Sequence, residues 1–488
     1  MSASDDEGER HSAPSLSSKH EVSASSSGKS PSGSEMDMAA VFEEELRRQS
    51  HSGDDCSEVR QETAQNLAEE HASDSRPEPE VREKEKRQKL SNDEKQPGTG
   101  AECPPHPAYF GGMCVRCGAS KDKDDGGASS SVALSYIHVG LEVSKGEAKR
   151  LRDERSRELT SSRKLLLVLD LDHTLLNSTR EVNVASAQDR LAKWTESEAT
   201  GGEDRRLLYH LPHMRMWTKL RPFVKEFLAA VSPMFELYIY TMGNRDYAYQ
   251  MASVLDPGGK FFNQRIISQN ESTERLSKSL DIVLCSESKV LIVDDTDGVW
   301  PNHRGNLVRI ERYLFFPDSP GHFGLGCSSL LDAGRDEDAH SGALANTLRV
   351  LREVHRIYFE EGRDDRDVRR GLAAVKRRVL EGCQLVLSRA FPDHHPLTQL
   401  AKELGAICSQ EVHAGATHVV AGSLGTEKVR WAEANGVHVV NPRWIEASAH
   451  QWYRAEETKY KVDEQSCAEV TNWGEDAKRS IAAAAGGG

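Results

Sequence analysis

Two short apolar runs, each closed by carboxylates, constrain this chain more than any other feature. The first is Leu165-Leu166-Leu167-Val168-Leu169-Asp170, followed by Leu171 and Asp172. A run without a polar face predicts a strand covered on both sides, as in parallel sheets. The second, Val290-Leu291-Ile292-Val293, ends in Asp294-Asp295. In open parallel sheets the crevice beyond the carboxyl ends of the strands receives ligands. Acids delivered there repel one another unless a cation lies among them, and hard oxygen donors suit Mg²⁺. For either run alone, the plainer reading is a buried strand entering an acidic, helix-capping turn.

The arrangement has a chemical use. Asp170 can attack phosphorus, while Asp172 protonates the leaving alkoxide and later deprotonates water. Between the two runs, Leu237-Tyr238-Ile239-Tyr240 predicts a further core strand, ending in Thr241. Its hydroxyl can donate to a phosphate oxygen. Lys278, ahead of an expected helix, can neutralise developing charge. Taken singly, a strand-end Thr and a surface Lys are ordinary.

The 488 residues suggest two or three domains. Of the net charge of −14, residues 1–100 carry −10 (23 acids against 13 bases), which leaves the remainder near neutral. That balance argues against a body that coats nucleic acid. Residues 1–100 are also Ser-rich and aromatic-poor, and are expected to be disordered. Within them, residues 83–89 read as a solvated charge run or a nuclear import signal. Nine scattered cysteines and no apolar leader point to a reducing compartment, and no run reaches membrane-spanning length.

Residues 101–120 hold Cys103, His106, Cys114 and Cys117, paired spacers that suit tetrahedral Zn²⁺; a metal-free knuckle is the alternative. Residues 121–150 read as a linker, and Leu151 to Arg163 as a charged helix. The stretch 151–330, which holds the strands that end in acids, reads as one α/β unit. Residues 331–375 read as linker plus a helix, whose apolar stripe at Leu348, Leu351, Val354 and Ile357 packs on that unit. Residues 376–463 alternate short strands and helices as a second α/β unit, and 464–488 are expected to be a disordered tail.

The order strand-DxDxT, strand-Thr, Lys, strand-DD resembles the haloacid-dehalogenase superfamily of phosphoryl-transfer enzymes. More narrowly, LVLDLDHTLLNS, WTKLRPFVKEFL, YTMGNRDYA and VLIVDDTDGVW resemble the Fcp-type RNA polymerase II C-terminal-domain phosphatases, above all the plant phosphatase-like branch. This implies a Rossmann-like α/β fold with a central parallel sheet and a nuclear serine phosphatase that uses Mg²⁺ (Mn²⁺ or Co²⁺ substituting). Asp170 is then the phosphoryl acceptor, and Asp172 the acid/base that lends its carbonyl to the metal. Thr241 and Lys278 bind phosphoryl oxygens, Asp294 and Asp295 complete the metal site, and Tyr247 and Arg265 contact substrate. Gln269 stands where the family usually has Arg, which weakens or replaces one substrate contact.

In the second unit, Gly405-Ala406, Thr417-His418-Val419-Val420 and the late Trp444 resemble a BRCT domain. Ser388 and Lys428 match its phosphate grip, although either is also an ordinary strand-end or helix residue. The implied partner is the phosphorylated polymerase tail, with general transcription factors as further partners through the BRCT unit or the N-terminus; nucleic acid and membrane are not expected. Only 37 positions separate Thr241 from Lys278, too few for a lid domain, so an open cleft for a protein segment is expected. A metabolite phosphatase and a non-catalytic BRCT adaptor are the competing readings.

Overall fold

The computed structural model describes residues 106–121, 131–199, 206–325, 327–360 and 366–462. The expectations for 1–100, for 464–488 and for Cys103 fall outside these residues. The chain opens with β1 (Ala108–Phe110), β2 (Met113–Cys114), β3 (Ser131–Ala133) and β4 (Leu141–Ser144), an antiparallel sheet in the order β2-β1-β4-β3. Of the span read as a linker, 121–150, the described residues 131–150 instead hold β3, β4 and the start of a helix. The polar surface of this span conceals Leu134, Tyr136 and Val143, which are buried against the catalytic sheet. The charged helix α1 runs over Lys145–Ser161, with Ser144 Oγ accepting from the Glu147 N–H.

The central sheet uses β5 (Leu165–Leu169), β9 (Phe235–Tyr240), β10 (Ile266–Ile267), β11 (Val290–Asp294) and β12 (Leu307–Arg309). Its order is β10-β9-β5-β11-β12, and every pair is parallel. Successive β5 side chains enter opposite cores. Leu165, Leu167 and Leu169 meet Phe227 and Leu351 on one face, while Leu166 and Val168 meet Tyr136, Leu159 and Trp300 on the other. Two apolar faces require the unbroken apolar run. Full burial of each such side chain is worth about 1.5–3 kcal/mol against exposure.

An insert between β5 and β9 holds β6 (Leu176–Arg180), β7 (Leu208–Leu211) and β8 (Met216–Leu220), antiparallel in the order β6-β8-β7, with helix α2 (Gln188–Ala199). Helices α3 (Val224–Val231) and α4 (Arg245–Leu255) cover the first core. Helix α5 (Ala343–Tyr358) seals it with Leu344, Leu348, Leu351 and Val354, as its stripe predicts.

Helix α6 (Val368–Arg377) leads into the second sheet, β14-β13-β15-β16, all parallel. Its strands are β13 (Gln384–Leu387), β14 (Ile407–Ser409), β15 (His418–Val420) and β16 (His438–Val440). Around it lie α7 (Pro396–Glu403), α8 (Glu427–Asn435) and α9 (Arg443–Gln451). Trp444 is fully buried, its indole N–H donating to the Ala455 carbonyl at 2.8 Å. Gly405 is obligatory: at φ 97°, a Cβ there would stand 1.8 Å from the Arg377 carbonyl oxygen.

Candidate active site

Parallel pairing of β5 with β11 sets Leu169 beside Val293, so both strands release their acids at the same edge. One carboxylate oxygen from each of Asp170, Asp294 and Asp295 lies within 4.8 Å of the others, and all three residues are buried. Lys278 bridges two of them, its ammonium 2.6 Å from Asp170 Oδ1 and 2.7 Å from Asp294 Oδ2. The helix expected after Lys278 is absent; a single 3₁₀ turn, Leu280–Ile282, follows instead. The lysine is held by its own N–H, which donates to the Val299 carbonyl at 2.7 Å.

Burial raises the Asp170 carboxyl well above the usual carboxylate range. Lys278 opposes the rise, and the neighbouring acids reinforce it. Asp294 is raised for the same first reason, and again Lys278 opposes it. Burial depresses the Lys278 ammonium, but Asp170 and Asp294 more than offset this and hold it charged. Asp172 is also raised by burial, against the Tyr247 hydroxyl that donates to its Oδ1. Arg312 reaches Asp295 Oδ2 at 2.6 Å. With all four carboxyls ionised, Asp170, Asp172, Asp294 and Asp295 would face one bonded ammonium and one bonded guanidinium, a shortfall of two positive charges. The raised pKa values reflect burial first and then that deficit. A divalent cation with oxygen ligands fits both the donor set and the deficit.

Turn geometry keeps the acids together. His173 adopts φ 60°, uncommon for a residue with a side chain, and its N–H donates to the Leu176 carbonyl at 2.7 Å. Thr174 Oγ1 accepts from the Asp295 N–H at 3.2 Å, linking the two acidic turns. Thr241, also buried, ends β9 on the neighbouring strand, and its Oγ1 accepts from the Gly243 N–H at 3.0 Å. Gly243 must be glycine, since a Cβ there would meet Tyr247 Cδ1 at 2.6 Å.

Tyr247 is buried, and its hydroxyl bonds Asp172 and Ser178 Oγ, the latter at 2.8 Å. Its observed partner is Asp172, the residue expected to act as acid/base. Arg265, expected to contact substrate, directly precedes β10, whose Ile266 and Ile267 pair with Ile239 and Tyr240. There it donates to the Leu237 and Phe261 carbonyls at 2.9 and 2.8 Å and lies over the Tyr238 ring. Gln269 is half-buried beside the Gly243 carbonyl, which accepts from its N–H at 3.0 Å.

In the second unit the Lys428 ammonium donates to the carbonyls of Leu387, at 2.8 Å, and Gln410. The first of these residues directly precedes Ser388, so Lys428 and Ser388, the pair expected to grip phosphate, meet at the end of β13. His106, Cys114 and Cys117 also converge, far along the chain from the acids.

Sequence reasoning missed Trp300, Arg312, Asn177 and Arg221. The Trp300 indole N–H donates to Asp294 Oδ2 at 2.9 Å, and Asn177 Oδ1 accepts from the Phe315 and Phe316 N–H groups at 2.9 and 3.0 Å. A Trp six residues past an acid pair and an Arg buried after β8 carry no local signal of these roles.

Residues 165–337 match the model of the NLI interacting factor-like phosphatases, and residues 375–449 match that of the BRCA1 C-terminus (BRCT) domain. The RNA polymerase II C-terminal domain phosphatase-like 4 of Arabidopsis thaliana is 44% identical over 78% of this chain and 87% of its own. The chain belongs to the RNA polymerase II C-terminal-domain phosphatase family. The Arabidopsis phosphatase-like 3 protein is also 44% identical, over 64% of this chain and 26% of that protein. The solved structure of a variant of the fission yeast RNA polymerase II CTD phosphatase Fcp1, bound to beryllium fluoride, aligns with 64% of this chain and all of its own, at 25% identity and TM-score 0.49. As a member of this family the chain is a protein phosphatase, built from a phosphatase domain and a BRCT domain. No helix among the described residues is long and apolar enough to cross a membrane.

Proposed function

We propose that this phosphatase removes phosphate from serines of the heptad-repeat tail of RNA polymerase II in the nucleus, through an aspartyl-phosphate on Asp170. The observation that carries this reading is the buried junction of Asp170, Asp294, Asp295 and Lys278 at one sheet edge. Asp170, Asp294 and Asp295, with the Asp172 carbonyl, would hold Mg²⁺, which when bound supplies charge neutralisation for the transferring phosphoryl group.

The chain's own groups account for the remaining steps. Asp170 attacks the phosphorus in line with the serine oxygen. Asp172, whose raised pKa suits a proton carrier, gives its proton to the departing serine alkoxide. The same carboxylate then takes a proton from water, which attacks the aspartyl-phosphate and returns Asp170. Lys278 and the Thr241 hydroxyl bind the phosphoryl oxygens, and the Tyr247 hydroxyl fixes the Asp172 carboxylate. Between Thr241 and Lys278 the chain holds only α4, β10 and turns, which supports access by a flexible protein segment. Adjacency of Ser388 and Lys428 supports a second phosphate contact for the same tail.

The test is release of phosphate from heptad peptides phosphorylated at single serines, with Mg²⁺ and with chelator. Wild-type protein is expected to turn over only with the metal. Asp170→Asn is expected to lose at least about a thousandfold in rate, together with the acid-stable phosphoenzyme. Undiminished turnover in that variant refutes the nucleophile assignment.

A further inference from the structure

We infer that the hairpin opening the described chain is a zinc site, separate from the catalytic centre. Its frame is β1 and β2, joined by Gly111-Gly112 at φ 55° and 80°, the positive pair that a two-residue primed turn needs. This turn carries Cys114 back towards His106, which stands just ahead of β1. A second turn follows, with Gly118 at φ 73° and its N–H on the Cys114 carbonyl at 2.9 Å, and it brings Cys117 to the same side. One donor atom from each of His106, Cys114 and Cys117 lies within 4.8 Å of the other two, with Cys117 Sγ 3.4 Å from His106 Nδ1. A tetrahedron with Zn–S bonds of about 2.3 Å and Zn–N bonds of about 2.0 Å has edges of roughly 3.5–3.8 Å. The Arg116 N–H points at Cys114 Sγ from 3.4 Å, a backbone donor of the kind that steadies a ligating sulfur.

Apolar packing does not explain the convergence. Within residues 106–121 only Tyr109 and Cys114 are buried, while Phe110, Met113 and Val115 are 46%, 59% and 58% exposed. A hairpin with so little core needs another tie. What it supports is specific. β1 pairs with β4, and the module's Leu134, Tyr136 and Val143 pack in one cluster with Leu280 and Ile282, just after Lys278. The zinc clip thereby backs the turn that presents the catalytic lysine. Three described donors leave one tetrahedral position, and the experiment reads the part of Cys103 separately.

The full chain, prepared without a histidine tag or added zinc, is assayed for metal content by mass spectrometry. Alkylation of the exposed Cys117 is followed before and after chelation, and cobalt-loaded protein is examined by absorption. Expected are one zinc ion per chain, a Cys117 protected until chelation, and sulfur-to-cobalt charge transfer with tetrahedral ligand-field bands. Cys117→Ser and Cys114→Ser are expected to lose the zinc, and Asp295→Asn to keep it. Loss on Cys103→Ser assigns a fourth protein ligand; retention assigns water. A wild-type chain without zinc and with freely alkylated Cys117, a Cys114–Cys117 disulfide in its place, or zinc kept by the cysteine variants but lost by Asp295→Asn each overturns the inference. The wild-type readings stand whether or not the variants fold.

Discussion

Trp300 shows how much of the site depends on a single donor. It is fully buried, donates to Asp294 Oδ2, and has the Lys278 ammonium 5.7 Å from its ring centroid. Phenylalanine would keep an aromatic face for the ammonium and remove the N–H. Hydrogen bonds to charged groups are worth about 1.5–3 kcal/mol. Trp300→Phe is therefore expected to destabilise the protein by about 1–3 kcal/mol and to raise the Mg²⁺ concentration needed for half-maximal turnover. Urea unfolding and metal titration measure the two effects, and an unchanged midpoint would show the donor to be idle. The acids were legible because each ends an apolar strand, a pattern carried by six neighbouring residues. Trp300 and Arg312 were not, since indole and guanidinium acquire their meaning only when the fold sets them against a carboxylate.

At the scale of elements, the end of β8 is tied through Arg221 to the turn after β5 and to the chain that follows β12. Its guanidinium, fully buried, donates to the carbonyls of Thr174 at 3.0 Å and Glu311 at 2.7 Å, and pairs with Glu337 at 2.6 Å. Removing one partner of a buried pair leaves an uncompensated charge, at a cost of about 3–5 kcal/mol. Arg221→Met is expected to lose that much, whereas the double variant with Glu337→Gln recovers a substantial part; denaturant unfolding of both variants measures the difference. A double variant as unstable as the single one would show that the carbonyl contacts, not the ion pair, dominate. Arg221 lies 116 positions from Glu337, a separation no local pattern reports. The same limit hid β3 and β4, whose few buried residues sit among polar ones, and it turned a 3₁₀ turn after Lys278 into an expected helix. The amphipathic α5 was readable because its stripe repeats within one element.

For the whole molecule, packing of the two domains predicts an acid sensitivity. Near the end of α9, His450 is held down to about 4, by burial first and then by Arg309 and Arg312 of the catalytic domain, with Asp297 opposing. Burial also lowers His418. An unfolded histidine titrates near 6.5. At these two histidines the unfolded chain therefore binds more protons than the folded one between pH 6.5 and 4, and their contribution to stability falls as pH drops through that window. The raised carboxyls of Asp170, Asp172 and Asp294 act in the opposite sense. The shift of His450 corresponds to roughly 3 kcal/mol, trimmed to about 1–2 kcal/mol because part of the ring meets water. Glu353 and Glu457, both held at about 2, lose their contribution only below 4.5 and do not mask the upper part of the window. The difference in urea midpoint between the wild-type chain and His450→Gln is expected to move against the wild type as pH drops from 6.5 to 4.5; a difference that stays constant would exclude His450 as a source. Beside this histidine, the Trp452 indole N–H donates to the Arg309 carbonyl at 3.0 Å, fastening the second domain to the edge strand of the first. This bond sets the C-terminal end of α9 against β12, so the second domain meets the first at the edge of its sheet. On the reading proposed above, a tail that engages the acidic edge and the Ser388–Lys428 pair at once must bridge the two domains so joined, and only phosphates separated by a matching length of chain serve both.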